Sequence, residues 1–344
     1  MRIFLTTDMH FSETSSIVRG PGRYKYTKRL ENCIATQNWT ERKAEQLNCD
    51  MIVHLGDFFD KAHLTDQEIT AVQDIQWSTI PHYFLVGNHE SEESDLKYSS
   101  TKILEAFGHK IVSEPLAMHL ANCELCFLPY VVDAHRQTLN EYFGDKGSKI
   151  RVVLSHNDIK GVQMGPAVSR FGFDKEDIEN SCDLFLNGHL HNGTAISDTI
   201  INLGNITGKD MGEDFTRYLH CAAVLDTDEM SFDMIENPEA FNFGQVDITS
   251  ELDFAYFDII KDHSVLSIKC VQELLPQVRE LLEQNDKVED FRLTVLILAT
   301  EQTEEEIEEL VMTSGDFLTQ FATFCKSDIP NTDILEIELA EVCK

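Results

Sequence analysis

The chain has 344 residues, of which 42% are hydrophobic, and its formal net charge at pH 7 is −32. This length and apolar content suffice for one large domain with a smaller one beside it. So negative a charge argues against autonomous binding to nucleic acid, because proteins that hold nucleic acid unaided usually carry a basic surface. DNA cleavage stays open, since divalent cations or a partner protein can supply positive charge.

The sequence carries no sign of export or membrane insertion. The first apolar run, at residues 3–5, is too short for the core of a signal peptide, and no later run approaches the ~18 residues of a membrane-spanning helix. The nine cysteines are scattered, which fits a reducing compartment better than a disulfide framework. We therefore expect a cytoplasmic protein that has no membrane partner.

Five apolar runs, each ending in a polar cluster, are predicted to be strands: residues 3–7, 51–55, 83–86, 150–155 and 184–187. Helical stretches lie between them, such as residues 65–76, where Thr65 and Glu68 can form a capping box. This alternation indicates an α/β fold, in which functional residues gather beyond the carboxyl ends of the strands. Shorter apolar runs within residues 117–131 and 196–223 indicate additional antiparallel strands.

The character of the sequence changes near residue 242, where the polar clusters stop and acidic helical patterns begin. Apolar residues recur at helical spacing in two stretches, 271–282 and 317–324. We predict a boundary there, with residues 1–242 as the core and residues 243–344 as a smaller C-terminal domain. Each apolar stripe is either the core of that small domain or a docking face for a partner.

Five short motifs end the predicted strands, and together they are much more specific than any of them alone. They are Asp8-Met9-His10, Gly56-Asp57-Phe58-Phe59-Asp60, Gly87-Asn88-His89-Glu90, Ser155-His156 and Gly188-His189-Leu190-His191. Imidazole suits transition metals, while carboxylate and amide oxygens suit manganese or magnesium. Two such ions lower the pKa of water and stabilise the charge of a phosphodiester under attack. Asp57 is the natural bridge between them, because a carboxylate has two oxygens to share.

These motifs resemble those of the calcineurin-like metallophosphoesterases, whose pattern is D-x-H, G-D-x-x-D, G-N-H-[DE], a single His, and G-H-x-H. The resemblance implies a β-sandwich flanked by helices, followed by a smaller α+β domain for capping and partner binding. It implies one ion held by Asp8, His10, Asp57 and His191, and a second held by Asp57, Asn88, His156 and His189. His89 would then stand beside the phosphate, where it stabilises charge or protonates the leaving oxygen.

Within this family, a metal-binding core followed by an acidic helical region resembles the SbcD-type nucleases, especially short bacteriophage versions. That resemblance implies a DNA exonuclease and endonuclease subunit of a recombination and repair complex. It also implies an SMC-like ATPase partner of the SbcC type, a homodimer and, for a phage protein, the host cytoplasm. Manganese is the expected metal, with magnesium or another transition metal as the alternative. Asp60 stands where many of these nucleases carry a second catalytic His, which leaves the balance of exonuclease and endonuclease action open.

One basic segment stands out in this acidic chain. Five cations follow the first motif within eleven residues, interleaved with two tyrosines, and they are Arg19, Arg23, Lys25, Lys28 and Arg29. They are candidates for contact with DNA phosphates. A solvated loop leading into a helix would have the same composition.

Two other functions compete with the nuclease. A stand-alone metallophosphoesterase would use the same ions on a small phosphoester or a cyclic nucleotide. Two features argue against this function. One is the added C-terminal region. The other is Lys61-Ala62, which follows the second motif at the place where phosphoprotein phosphatases carry Arg-Gly. A binding scaffold that has lost catalysis is disfavoured, because a dead site has no physical reason to keep so many clustered His and Asp side chains.

Overall fold

The computed structural model describes residues 1–296, except residues 16–17, 19–20, 93–94 and 165–166. Residues 1–295 form one compact unit. The second predicted apolar stripe, at residues 317–324, lies outside the described residues. None of the helices in the described part of the chain has the length and hydropathy that a membrane crossing requires.

The described residues form seventeen strands and five α-helices. The strands are β1 (Arg2–Thr6), β2 (Met51–His54), β3 (His82–Leu85), β4 (Lys110–Val112), β5 (Leu116–His119), β6 (Cys123–Leu128), β7 (Ile150–Ser155), β8 (Gln163–Met164), β9 (Ala167–Val168), β10 (Leu184–Asn187), β11 (Thr194–Ala195), β12 (Ile200–Asn202), β13 (Cys221–Asp226), β14 (Ser231–Glu236), β15 (Asn242–Ile248), β16 (Ser264–Cys270) and β17 (Val288–Val295). The helices are α1 (Lys28–Gln46), α2 (Asp66–Gln73), α3 (Leu139–Phe143), α4 (Lys175–Ser181) and α5 (Leu275–Gln284). Short 3-10 helices cover Ser100–Phe107, Asp133–His135, Glu251–Ile259 and Gln272–Leu274.

The strands that the sequence predicts are confirmed to within one residue at either end, as β1, β2, β3, β7 and β10. The capping box is confirmed too, because the Thr65 hydroxyl accepts from the Glu68 backbone and the Glu68 carboxylate accepts from the Thr65 backbone. Local signals therefore fix where these elements begin and end.

Two six-stranded sheets face each other at the centre of the unit. One has the order β14-β13-β1-β2-β3-β4 and the other β11-β12-β10-β7-β6-β5. Alternate residues of each strand point to opposite faces, so Leu5 lies between the sheets with Leu154, while Phe4 packs outward against Leu30 of α1. Helices α3 and α4 cover the outer face of the second sheet. The layers are thus helix, sheet, sheet and helix, which is the predicted α/β sandwich.

The parallel pairing of the central strands positions the site. β1, β2 and β3 are parallel to one another, as are β7 and β10. Within each sheet, these strands therefore deliver the residues that follow them to one edge.

A separate three-stranded parallel sheet, β15-β16-β17, follows the two large sheets. Helix α5 packs on it through Val278 and Leu282, so these two residues of the first predicted apolar stripe are core, while Leu281 of the same stripe is 38% exposed. The residue pattern indicates only helix here, and the strands agree with the mixed α+β region that the family resemblance implies. The predicted boundary at 242/243 falls at the start of β15, inside the compact unit of residues 1–295, and the division into two domains stays a prediction.

Candidate metal centre

Each of the five motifs follows the end of a strand, the first three after β1, β2 and β3 and the last two at β7 and β10. Two sets of ligand atoms each lie within 4.8 Å of one another, one from Asp8, His10 and His191 and the other from Asp57, His156 and His189. Asn88 places its Oδ1 3.0 Å from His189 Nδ1 and 3.3 Å from His156 Nε2. The structure thus brings all seven predicted ligands together in two adjacent groups.

The backbone that carries these ligands is held in an unfavourable conformation. Four of them have left-handed φ angles, 50° at Asp8, 48° at His10, 49° at Asp57 and 75° at His189. Each such residue other than glycine costs about 1–3 kcal/mol, and this strain is typical of functional sites. A Cβ atom at Gly87 would collide with the Asp57 carboxylate, so only glycine fits there. These backbone conformations in the motif loops bring the ligand side chains together at one site.

The first group has the features of a cation site. The Nε2 atoms of His10 and His191 face each other at 3.0 Å, with Asp8 Oδ1 3.9 Å from His10 Nε2. Within the described part of the chain, that Asp8 oxygen is buried without a hydrogen-bond partner, while Asp8 Oδ2 accepts from the His189 N–H at 3.0 Å. A buried, unpartnered carboxylate oxygen is costly. A metal ion would satisfy it together with the two imidazole nitrogens, so these residues fit the predicted first ion.

The second group adjoins the first through Asp57. Asp57 Oδ2 lies 3.2 Å from His156 Nε2 and 4.0 Å from His10 Nε2, which places this carboxylate between the groups, where a bridging ligand is expected. His156 Nδ1 donates to the Leu55 carbonyl at 2.6 Å, so its Nε2 is free to ligate. Burial acts to lower the pKa of His156, but the carboxylates of Asp57 and then Asp8 raise it to about 9. This negative potential favours a divalent cation.

His89 lies at the open side of the two groups. Its side chain is 37% exposed, and its Nε2 is 3.9 Å from Asp57 Oδ2. Its Nδ1 donates to the main-chain carbonyl of Asp60 at 3.1 Å, which turns Nε2 toward the centre. An imidazole held in this way can donate to an oxygen of a bound phosphate group. The role of His89 beside a phosphate stays a prediction.

Comparison with known proteins agrees with this geometry. The model of the calcineurin-like phosphoesterase family matches residues 1–193, which is more than half of the chain and contains all five motifs. The chain belongs to the calcineurin-like phosphoesterase family. This family uses divalent metal ions, and the phosphoesterase has His and Asp groups that can bind them. No curated protein sequence matches it.

Several solved structures are similar to this phosphoesterase at low identity. The phosphoesterase Yfce from E. coli is 13% identical, with a TM-score of 0.32, over 69% of this chain and 100% of that one. A dimetal phosphatase from Danio rerio is 12% identical, with a TM-score of 0.37, over 65% and 91%. A metallophosphoesterase from Sphaerobacter thermophilus is 14% identical, with a TM-score of 0.30, over 69% and 88%. Likeness at this level does not transfer a substrate.

Two carboxylates that the sequence analysis missed hold the ligand histidines of the phosphoesterase. Glu213 Oε1 is 2.8 Å from His191 Nδ1, and Asp158 Oδ1 is 3.0 Å from His189 Nε2. Such outer partners fix the tautomer and the orientation of a metal-binding imidazole. They leave Nε2 of His191 and Nδ1 of His189 as the ligating atoms. Asp158 stands two residues after His156, which is a weak sequence signal, whereas nothing in the sequence near Glu213 points to His191.

The basic segment does not join the metal groups. Three of its cations pair with carboxylates of the phosphoesterase itself, Arg23 with Glu289 at 3.3 Å, Lys25 with Asp74 at 3.0 Å and Lys28 with Asp290 at 3.8 Å. Arg23 and Lys25 are nonetheless mostly exposed. Arg19 lies outside the described residues. Contact of this segment with DNA stays a prediction.

Arg29 differs from the other cations because it is buried. Its guanidinium donates to the carbonyls of Gly208 at 2.6 Å and Met9 at 3.0 Å. These bonds tie the first motif loop to the loop around residue 208. Arg29 therefore supports the site from within and offers no exposed charge to a phosphate.

Proposed function

We propose that this phosphoesterase is the DNA-cleaving subunit of an SbcCD-like recombination and repair complex, acting as an exonuclease and endonuclease with two Mn²⁺ ions. In this proposal it forms a homodimer and works with an SMC-like ATPase of the SbcC type. The ions, when bound, supply positive charge for the phosphodiester and lower the pKa of water. His89 contributes a hydrogen-bond donor at the leaving oxygen.

The observation that carries the proposal is a direct connection between the metal centre and the added three-stranded sheet. Glu213 holds His191, and two residues later Phe215 packs in the core of that sheet with Ile248 and Leu266. The Phe215 N–H also donates to the Phe243 carbonyl at 2.7 Å. A partner that binds the C-terminal part of the chain could thus alter the geometry of a metal ligand. A stand-alone phosphoesterase has little need of such a connection.

The segment after the first motif offers a surface for DNA. Its backbone is fixed, because the N–H groups of residues 23–26 all donate to the Glu31 carboxylate at 2.8–3.2 Å. The Tyr24 side chain is 91% exposed between Arg23 and Lys25. An exposed aromatic ring beside cations suits stacking on a base with phosphates on either side.

The charge distribution supports a second candidate function, the hydrolysis of a small phosphoester or a cyclic nucleotide. Three described cations of this segment are paired with nearby carboxylates, and the whole chain carries −32. Both facts favour a small phosphoester or cyclic nucleotide, which needs no extended basic surface. If the protein is a nuclease, its ATPase partner must supply most of the affinity for DNA.

The test is Mn²⁺-dependent release of nucleotides from linear double-stranded DNA, with and without a candidate SMC-like ATPase and ATP. A small aryl phosphodiester and a phosphomonoester are assayed in parallel. His89→Ala should abolish DNA degradation, while His63→Ala, at a side chain 82% exposed and outside both ligand groups, should not. Turnover of the small esters with intact DNA, even with the ATPase present, would favour the second function.

A further inference from the structure

Lys209 touches the metal centre although it belongs to none of the five motifs. Its Nζ lies 2.8 Å from Asp60 Oδ1 and 3.1 Å from His10 Nδ1, and those two atoms are 2.9 Å apart. The lysine is 26% exposed and lines a cavity of about 280 Å³ beside His10. It is therefore within reach of solvent and of bound ions.

The backbone around Lys209 is anchored on both sides. The Lys209 N–H donates to Glu213 Oε2 at 2.8 Å, and the carbonyl of Gly208 accepts from the buried Arg29 guanidinium at 2.6 Å. The Gly208 N–H donates to the Phe241 carbonyl at 3.1 Å. These contacts hold the ammonium group against Asp60 from a segment far away in sequence.

Asp60 is itself a potential metal ligand. Its carboxylate, with His10 and His89, forms a third set of ligand atoms within 4.8 Å of one another. An ion drawn to this set would take His10 away from His191 and would occupy His89. A lysine ammonium is a compact cation with three donors, so it can satisfy the Asp60 carboxylate in place of a metal.

We propose that Lys209 is a positioning residue that occupies Asp60 and so keeps Asp60 from acting as a metal ligand. Asp60 then stays in contact with Lys209 and His10, and the Nε2 of His89 stays free to face the substrate. The inference rests on the metal dependence of the proposed function and is independent of whether the substrate is DNA.

Whether removal of Lys209 tightens or weakens metal binding distinguishes this role from simple structural support of the loop. The ammonium and the Asp60 carboxylate offset each other's charge near the ions. Lys209→Met leaves that carboxylate uncompensated and free to ligate, so divalent ions should bind more tightly while turnover falls. A lysine that merely supports the loop would, when removed, weaken metal binding and turnover together.

The experiment measures Mn²⁺ binding to the full chain by titration calorimetry, without substrate. We expect Lys209→Met to lower the apparent Kd for Mn²⁺ about tenfold, because the variant loses a positive charge beside the ions and frees a carboxylate that attracts them. Adding Asp60→Asn to Lys209→Met should return the Kd close to that of the wild type. The kcat for a small aryl phosphodiester should fall in Lys209→Met although its metal is held more tightly.

The matched control is Lys61→Met, which removes a lysine of 32% exposure paired at 2.9 Å with Glu68, outside all three sets of ligand atoms. It should leave the Kd for Mn²⁺ unchanged. Lys209→Arg keeps the charge and should bind Mn²⁺ as the wild type does. Thermal unfolding checks each variant, and Lys209→Gln, with the same expected Kd, replaces Lys209→Met if the latter does not fold.

An unchanged or weaker Kd in Lys209→Met would overturn the proposal, as would a double variant that binds Mn²⁺ as tightly as Lys209→Met alone. Because no substrate is present in the titration, a failure to cleave DNA would not affect either result. Failure of the proposed function and failure of this inference are thereby distinguishable.

Discussion

Glu213→Gln should weaken Mn²⁺ binding at the ion assigned to His191, because glutamine cannot reproduce both faces of this carboxylate. Glu213 Oε1 accepts from His191 Nδ1 at 2.8 Å, while Oε2 accepts from Asn205 Nδ2 and from the Lys209 N–H, each at 2.8 Å. All three partners are donors. A glutamine has one acceptor oxygen and one NH₂ group. Its NH₂ group must therefore point at an N–H donor, either that of His191 or those of Asn205 and Lys209.

The magnitude follows from these contacts. Glu213 is 3% exposed, and although burial acts to raise its pKa, the His191 imidazole and the other donors lower it to about 2. A hydrogen bond to a charged group contributes about 1.5–3 kcal/mol, against about 0.5–1.5 kcal/mol for a neutral one. Replacing the charged acceptor of the His191 hydrogen bond by a neutral one therefore loses about 1.4 kcal/mol. This loss corresponds to about a tenfold weaker Mn²⁺ affinity.

Titration calorimetry of the full chain measures this loss, with Glu236→Gln as the control. Glu236 pairs with Lys261 at 2.8 Å, but it is 56% exposed and belongs to none of the ligand groups. Glu213→Gln should reduce the affinity for one ion and leave the other close to its original value. An unchanged affinity, or an equal loss in Glu236→Gln, would refute the assignment of Glu213 as the outer partner of His191.

Four further changes test other parts of the structure. His89→Ala should lower kcat by about 10²–10⁴-fold while two Mn²⁺ ions remain bound in calorimetry, and loss of either ion would contradict its placement beside the phosphate. Asp57→Ala should weaken both ions together, because its carboxylate lies between the two groups; a variant with two normally bound ions would rule out the bridge. Arg151→Met should reduce the free energy of unfolding by about 3–5 kcal/mol in urea titrations, since it leaves Glu124, 2.6 Å from the Arg151 Nε, without its buried cation; a loss below ~1 kcal/mol would contradict this. Burial, followed by a nearby histidine charge, lowers the pKa of His109 from 6.5 to about 4, so the unfolded chain binds a proton that the folded chain does not, and this residue should remove about 2 kcal/mol of stability between pH 7 and pH 5. His109→Gln should flatten that pH dependence, and an unaltered slope would show that other groups cause it.

The central fold and the metal ligands could be predicted from sequence because both depend on local patterns. Each strand is an apolar run that a polar motif ends, and the parallel pairing of β1, β2 and β3 brings those ends to one edge. The short spacing within each motif, as in Gly188-His189-Leu190-His191, places its functional side chains in the same loop. These local patterns supply the candidate residues, whereas the assignment of each residue to an ion comes from the resemblance to the family and stays a prediction.

The edge strands β15 and β17 were harder to predict because their patterns are mixed. β15 includes Gly244, Gln245 and Asp247, and β17 is only partly buried along its whole length. The stronger helical signal, at Val278 and Leu282 of α5, dominated the sequence pattern in this region. Strands at the edge of a small sheet carry too little periodicity to outweigh it.

The outer partners of the ligands could not be predicted, because they come from positions distant in sequence. Lys209 reaches His10 across 199 residues, and Glu213 follows His191 by 22. The basic segment illustrates the same limit. Its composition suggested phosphate contact, while its pairing with Glu289 and Asp74 is visible only in the folded chain.

The loop of residues 208–215 joins these separate features into one structure. It accepts from Arg29 at Gly208, meets Asp60 at Lys209, holds His191 at Glu213 and enters the core of the added sheet at Phe215. Consecutive residues of a short, anchored loop cannot shift independently, since their backbone is covalently continuous and bonded at several points. A displacement of the added sheet would therefore reach the outer partners of both His10 and His191 at once. The metal centre thus depends on residues on both sides of position 242, and the connection runs through side chains that no motif identifies.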